Sequence, residues 1–223
     1  MPRVLVFDVN ETLLDLKALD PLFVRMFGDA SVRGQWFTQL VQSALVTTVT
    51  DHYIPFGQIG RAALEMVAAR RGLSLSTHDK QEIIGALASL PPHPEVRSSL
   101  EQLRDADLRM AALTNSTLEV AELQLTNAGL YDLFERIFSA DQVKRLKPAP
   151  EPYRMAAQEL GIDTDQMRMV AAHAWDIAGA LRAGCATAFV ARPGVVLDPL
   201  VRAPDVIGAN MAEVTKRILE IEK

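Results

Sequence analysis

The sequence predicts an α/β fold, a doubly wound parallel sheet with a block of helices inserted after its first strand. Three observations carry that expectation. Short apolar runs without alternation recur along the chain, as in strands buried on both faces. Helix-length amphipathic segments that stop at glycine lie between them. The stretch from about residue 16 to residue 90 keeps helical periodicity and shows no alternation of strand and helix.

The elements follow in order. Val4–Phe7 (VLVF) is the first apolar run, and Asp8 ends it. The helical stretch comes next, broken at Gly28, at Pro55-Phe56-Gly57 and at Gly72. It closes at Pro91-Pro92-His93-Pro94, where proline and the residues before it disfavour helix. The sheet is expected to resume near Val96. Further runs lie at Leu108–Leu113 (LRMAAL), Met167–Ala172 (MRMVAA) and Thr187–Ala191 (TAFVA), with a weaker one at Arg136–Ser139. Helices are expected over Leu118–Ala128, Pro152–Leu160 and Ile177–Ala183, stopping at Gly129, Gly161 and Gly184. The implied division is a core of residues 1–15 and 91–223 and a helical cap of residues 16–90.

Composition narrows the function. With 223 residues, 49% hydrophobic and 23% charged, the chain can bury a full core without disulfides. A net charge of −5 and no basic run give no footprint for nucleic acid and no polybasic patch for a membrane surface. No apolar stretch is long enough to span a bilayer, and the start lacks a signal-peptide pattern, so the expected location is the cytoplasm. The one cysteine, Cys185, follows Gly184 in an apolar stretch and reads as a small buried hydrophobe.

Ligands of open α/β sheets bind beyond the carboxyl ends of the strands. The first strand delivers Asp8-Val9-Asn10-Glu11-Thr12 to that edge. The run ending at Leu113 delivers Thr114-Asn115-Ser116. A loop carries Lys147-Pro148, with Tyr153 shortly after. The run ending at Ala172 delivers His173-Ala174-Trp175-Asp176. Singly, each has an ordinary reading: a turn residue, a helix cap, a solvated lysine, a surface histidine. Together, on one sheet edge, they bring two carboxylates, an ammonium, an imidazole and hydroxyl and amide donors to one place.

The segments FDVNETLLD, LTNST, LKPAPEPY and VAAHAWDIAGA resemble the four motifs of the haloacid dehalogenase superfamily. The resemblance spans nearly the whole chain and implies that superfamily's Rossmann-like core with an inserted helical cap. Within it, the AWD at Ala174–Asp176 and Tyr153 after Lys147-Pro148 are similar to the (S)-2-haloacid dehalogenase branch. That branch implies Asp8 as nucleophile, with Thr12, Lys147 and Asp176 as catalytic partners. It also implies no cofactor, a small 2-haloalkanoic acid and water as reactants, and a homodimer. Asn10, Phe37, Phe56, Thr114, Asn115, Tyr153 and Trp175 are the expected substrate-binding residues.

Most of the superfamily transfers phosphoryl groups, using a second acid in the first motif and a metal-binding acid in the fourth. Those positions hold Asn10 and Ala172 here. An amide is no general acid, and a methyl group holds no hard cation. A halide leaves as an anion and needs neither. The expectation is therefore metal-independent displacement of halide by Asp8 and hydrolysis of the aspartyl ester to a 2-hydroxyacid. A phosphatase or phosphonate hydrolase, and a non-catalytic carboxylate-binding protein, stay open as alternatives. Two residues depart from the branch. Phe37 follows Trp36 where the branch has a halide-binding arginine, with Arg33 and the Trp36 indole N–H as candidate replacements. His173 replaces an asparagine and is the expected general base for the hydrolytic water.

Overall fold

The computed structural model describes residues 2–222. Strand β1 (Val4–Phe7) is followed by four inserted helices: α1 (Asp20–Phe27), α2 (Val32–Val49), α3 (Phe56–Arg70) and α4 (Thr77–Ala86). Helix α5 (Val96–Asp105) and strand β2 (Met110–Thr114) return the chain to the sheet. Then come α6 (Leu118–Asn127), β3 (Arg136–Ser139), α7 (Pro150–Glu159), β4 (Met167–Ala171), α8 (Ala174–Ala183) and β5 (Ala186–Val190). Strand β6 (Val206–Gly208) and helix α9 (Met211–Ile221) complete the fold. All the strand pairings are parallel, in the order β3-β2-β1-β4-β5-β6.

This is the expected doubly wound α/β sheet. Strand β1 shows why its sequence lacks alternation. Leu5 and Phe7 face one apolar core, Val4 and Val6 face the other, and all four are buried. The strand order reverses between β1 and β4, so the crevice at their carboxyl ends is the ligand-binding position of such sheets.

Three local expectations need correction. The sheet does not resume near Val96; that segment is α5. Val96, Leu100 and Leu103 are spaced for one buried helical face, and they pack inward. The strand after it runs Met110–Thr114, two residues later than the apolar run suggested. Beyond the last expected strand, β6 and α9 extend the core. Val206–Gly208 is too short to stand out in sequence, whereas Met211, Val214 and Ile218 carry the apolar stripe of α9.

The inserted helices join the sheet through a narrow neck. Leu14 bridges antiparallel to Pro92, the Asp15 amide donates to Pro91 O at 2.9 Å, and the His93 amide donates to Leu13 O at 2.9 Å. Helix α2 packs on α3 where Gly60 faces Leu40. A Cβ on Gly60 would sit 3.1 Å from Leu40 Cδ1. Leu40 is therefore covered within its own chain, while Val46 and Val49 on α2 stay exposed. Among the described residues no helix is long and apolar enough to cross a membrane.

Candidate active site

The first strand ends with its last amide bond pointing across the sheet: the Asp8 N–H donates to Val170 O of β4 at 3.0 Å. The Asp8 side chain thus starts at the reversal of strand order. Lys147 reaches it from the loop before α7. Its buried ammonium donates to Asp8 Oδ1 at 3.0 Å, Asp176 Oδ2 at 2.7 Å and Leu113 O at 2.8 Å. Three N–H groups meet three acceptors, so the buried cation is fully satisfied.

Thr12 closes the other side. Its hydroxyl donates to Asp8 Oδ2 at 2.7 Å and accepts from the Ala172 amide at 2.9 Å. His173 Nδ1 lies 3.2 Å from the same Oδ2. A carboxylate only accepts, so Nδ1 carries the proton in the resting site. The His173 ring is stacked between Phe37 and Trp175, at centroid distances of 5.4 and 5.0 Å. The two residues that depart from the dehalogenase pattern, Phe37 and His173, therefore touch each other.

Charge follows from this packing. Burial pushes Asp8 up, but the Lys147 ammonium and the bonds from His173 and Thr12 outweigh it and hold the carboxyl well below the usual range. Burial also opposes the charge of Lys147, and its two carboxylate partners override that and raise it. Asp176 moves up, because burial and the neighbouring Asp8 charge outweigh Lys147.

The other expected site residues divide into two groups. Asn10, Phe37 and Phe56 line a cavity of about 230 Å³ beside the carboxylate cluster, together with Trp36, Leu40 and Ser116. Tyr153, Asn115 and Thr114 lie behind the cluster. Tyr153 is fully buried, and its hydroxyl donates to Asp176 Oδ1 at 2.5 Å. The Asn115 amide clamps the Lys147 backbone, accepting from its N–H at 2.7 Å and donating to its carbonyl at 3.1 Å. Thr114 Oγ1 accepts from the Ser116 amide at 3.2 Å. These three hold the Asp8–Lys147–Asp176 cluster in place and are not among the residues that line the cavity. Among the described residues no group of three or more His, Cys, Asp or Glu side chains is arranged to hold a metal ion.

Sequence reasoning missed several supports. Arg192, just past β5, donates to Thr12 O at 2.8 Å and pairs with Glu95. His93 Nε2 donates to Glu11 O at 3.1 Å. Both fix the loop after β1 through contacts that no local pattern announces. Gly179 had a visible signal, a glycine inside a helix. A Cβ there would lie 2.6 Å from Pro148 Cβ and O and 2.7 Å from the Tyr153 hydroxyl. Gly179→Ala is expected to destabilise the protein by about 1–3 kcal/mol. Turnover should fall with it, because the displaced groups carry Lys147 and Asp176. Urea melts beside steady-state rates check this, and wild-type values for both would refute it.

The sequence profile of the haloacid dehalogenase-like hydrolases matches residues 2–184. The chain belongs to the haloacid dehalogenase-like hydrolase family. Relatives of this haloacid dehalogenase-like hydrolase include the (S)-2-haloacid dehalogenase of Pseudomonas sp. (strain YL), 28% identical over 203 residues, covering 90% of this chain and 88% of the relative. Haloacetate dehalogenase H-2 of Moraxella sp. (strain B) is 26% identical over 207 residues, covering 91% and 92%. Among solved structures, the L-2-haloacid dehalogenase RSc1362 superposes with a TM-score of 0.93 at 27% identity, covering 98% of this chain and 99% of that one. The L-2-haloacid dehalogenase of Xanthobacter autotrophicus with chloropropionic acid covalently bound gives a TM-score of 0.92 at 22% identity, covering 99% and 100%, and shows the shared fold.

Proposed function

We propose that this hydrolase cleaves the carbon–halogen bond of small 2-haloalkanoic acids through an ester on Asp8, with no metal or organic cofactor. The observation that carries the reading is the state of Asp8. It is buried and kept ionised by Lys147, with an amide at Asn10 and a methyl at Ala172 where phosphoryl transfer would need acids. The named activities of the relatives agree with it. In this reading residues 1–15 and 91–223 form the core, and residues 16–90 form a cap over the cavity.

Among the described residues Asp8 Oδ1 accepts only from Lys147, whereas Oδ2 is engaged by Thr12 and His173. Oδ1 is thus the freer oxygen. It forms the bond to C2 as the carbon–halogen bond breaks, and halide leaves with the bonding pair. The configuration at C2 inverts. Oδ2 becomes the ester carbonyl oxygen, with the Thr12 hydroxyl already aimed at it for the oxyanion that follows. The ester carbonyl oxygen, like the carboxylate before it, only accepts, so His173 Nδ1 keeps its proton toward Oδ2 and the lone pair on Nε2 is offered to water. Water bonds to Cγ of Asp8 while its proton goes to His173. The Cγ–Oδ1 bond breaks, and the departing 2-hydroxyacid oxygen takes that proton. Asp8 sheds the remaining proton and is again a carboxylate, now holding one oxygen from water.

A single turnover of 2-chloropropionate in ¹⁸O-water tests the route. Label is expected in Asp8 and absent from the product. Label in the product on the first turnover means that water attacks C2 directly, and the ester mechanism is wrong. His173→Ala should accumulate the ester adduct in intact mass spectra; wild-type turnover without an adduct would remove His173 from its role. Chloroacetate turnover that EDTA leaves unchanged is expected. Magnesium-dependent release of phosphate from p-nitrophenyl phosphate would point to a phosphatase instead.

A further inference from the structure

A departing halide carries its charge into the site and needs donors there. The two candidate replacements for the absent cap arginine are both committed elsewhere. The Trp36 indole N–H donates to Gly60 O at 2.8 Å. Arg33 holds Asp20 at 2.6 Å and Glu11 at 3.4 Å. The cavity wall beside the nucleophile is largely apolar, with Phe37, Leu40 and Phe56 in it, and Asn10 is set into that wall.

The amide of Asn10 has a fixed orientation. Gln124 on α6 is buried, and its Nε2 donates to Leu87 O at 2.9 Å and to Asn10 Oδ1 at 3.0 Å. Both hydrogens of that group are used. Turning the Gln124 amide over would set its oxygen against the Leu87 carbonyl. Asn10 Oδ1 is therefore the acceptor, and Asn10 Nδ2 is left to serve the other side. Nδ2 makes one long bond to Ser116 Oγ, at 3.4 Å. Its second hydrogen has no acceptor among the described residues. Gln124 Oε1 meanwhile stays buried without a partner among the described residues. A buried unpaired oxygen is unfavourable, and such groups persist where the arrangement serves another purpose.

We propose that Asn10 donates a hydrogen bond to the leaving halide, and that Gln124 is the positioning residue that keeps the Asn10 NH₂ turned into the cavity. The proposal rests on the dehalogenase reading, but halide binding to the resting enzyme is measurable without turnover. Bromide is titrated into the protein at constant ionic strength while tryptophan emission is followed. Trp36 lines the cavity and Trp175 stacks on His173, so both report on the site.

A saturable response is expected for the wild type. Asn10→Asp keeps the shape and still accepts from Gln124, but it replaces the donor with a carboxylate; bromide should bind about tenfold more weakly or worse. Gln124→Met frees the Asn10 amide to turn and should weaken bromide severalfold, while thermal melting stays cooperative. In turnover, both variants should slow ester formation more for 2-chloropropionate than for 2-bromopropionate, because the poorer leaving group depends more on the donor. Unchanged bromide affinity in Asn10→Asp would overturn the proposal, and so would the absence of a saturable response in the wild type. Loss of binding in Arg61→Ala with retention in Asn10→Asp would move the site to the exposed arginine at the cavity rim. Bromide binding through Asn10 without any Asp8 ester from a haloacid would fail the dehalogenase reading alone. Ester formation with bromide binding indifferent to both residues would fail the Asn10 proposal alone.

Discussion

Asp8→Asn is expected to lower halide release from 2-haloacids by ~10,000-fold or more, the scale seen when a covalent nucleophile is removed. The change is nearly isosteric, but the new NH₂ must face a donor, either the Lys147 ammonium or the Thr12 hydroxyl and His173 Nδ1–H. An amide oxygen has no charge to direct at C2. Stability should not follow activity. Asp8 and Asp176 share one ammionium in the folded protein, that of Lys147. Neutralising one of them leaves a matched pair, but it also removes the stability that the depressed pKa ties to the Asp8 charge, so the melting temperature should fall modestly while activity collapses. Turnover near wild type would show that the nucleophile lies elsewhere.

The ionisation of Asp8 also fixes a pH window. Its folded pKa is depressed, so its charge, and the stability linked to it, is present above the unfolded value of about 3.9. Both are lost only as pH falls through the lower folded value. The rate of ester formation, measured by rapid quench, should therefore stay flat from pH 7 down to about pH 4. A fall centred in the ordinary carboxylate range that persists in Asp176→Asn would mean that Lys147 does not hold Asp8 ionised.

Lys147→Met is expected to lose activity and about 3–5 kcal/mol of stability, the cost of breaking a buried ion pair by removing one partner. The ammonium is nearly inaccessible and serves two carboxylates and the Leu113 carbonyl. Without it, both carboxyl groups are buried beside each other with no cation, and protons replace it. A protonated Asp8 is no nucleophile. The stability deficit should narrow as pH falls toward the carboxylate range, since protonation then removes the repulsion in the variant. Adding Asp8→Asn to Lys147→Met should recover part of the loss, because the two sites are coupled. Urea melts across pH measure all of this; a deficit constant with pH would reduce Lys147 to a packing residue.

What sequence made legible follows from where information is local. Strand β1 reads plainly because burial on both faces removes alternation. Asp8, Thr12, Lys147 and Asp176 could be gathered because they sit at strand ends or in a loop on one edge, and the topology brings such ends together. Helix α5 is readable from the spacing of Val96, Leu100 and Leu103, but the proline cluster before it draws the expectation of a returning sheet to that place, and β6 is only Val206–Gly208 in extent. Tyr153 and Asn115 are expected at the site, but that they brace Asp176 and Lys147 from behind is not readable, since a sequence gives no depth. Gln124, Arg192 and the Phe37–His173 contact depend on segments distant in the chain, and no periodicity joins them.

At Leu14 and Pro92 the chain enters and leaves the inserted helices at adjacent backbone positions, so an engineered exchange could treat the helices as a cassette and the sheet as its socket. Phe37 limits that freedom. It comes from the cassette, yet it forms one face of the stack around His173, which comes from the socket. A chimera built at this junction inherits half of an aromatic sandwich, and its fitness will depend on whether the donor and recipient agree at those two positions.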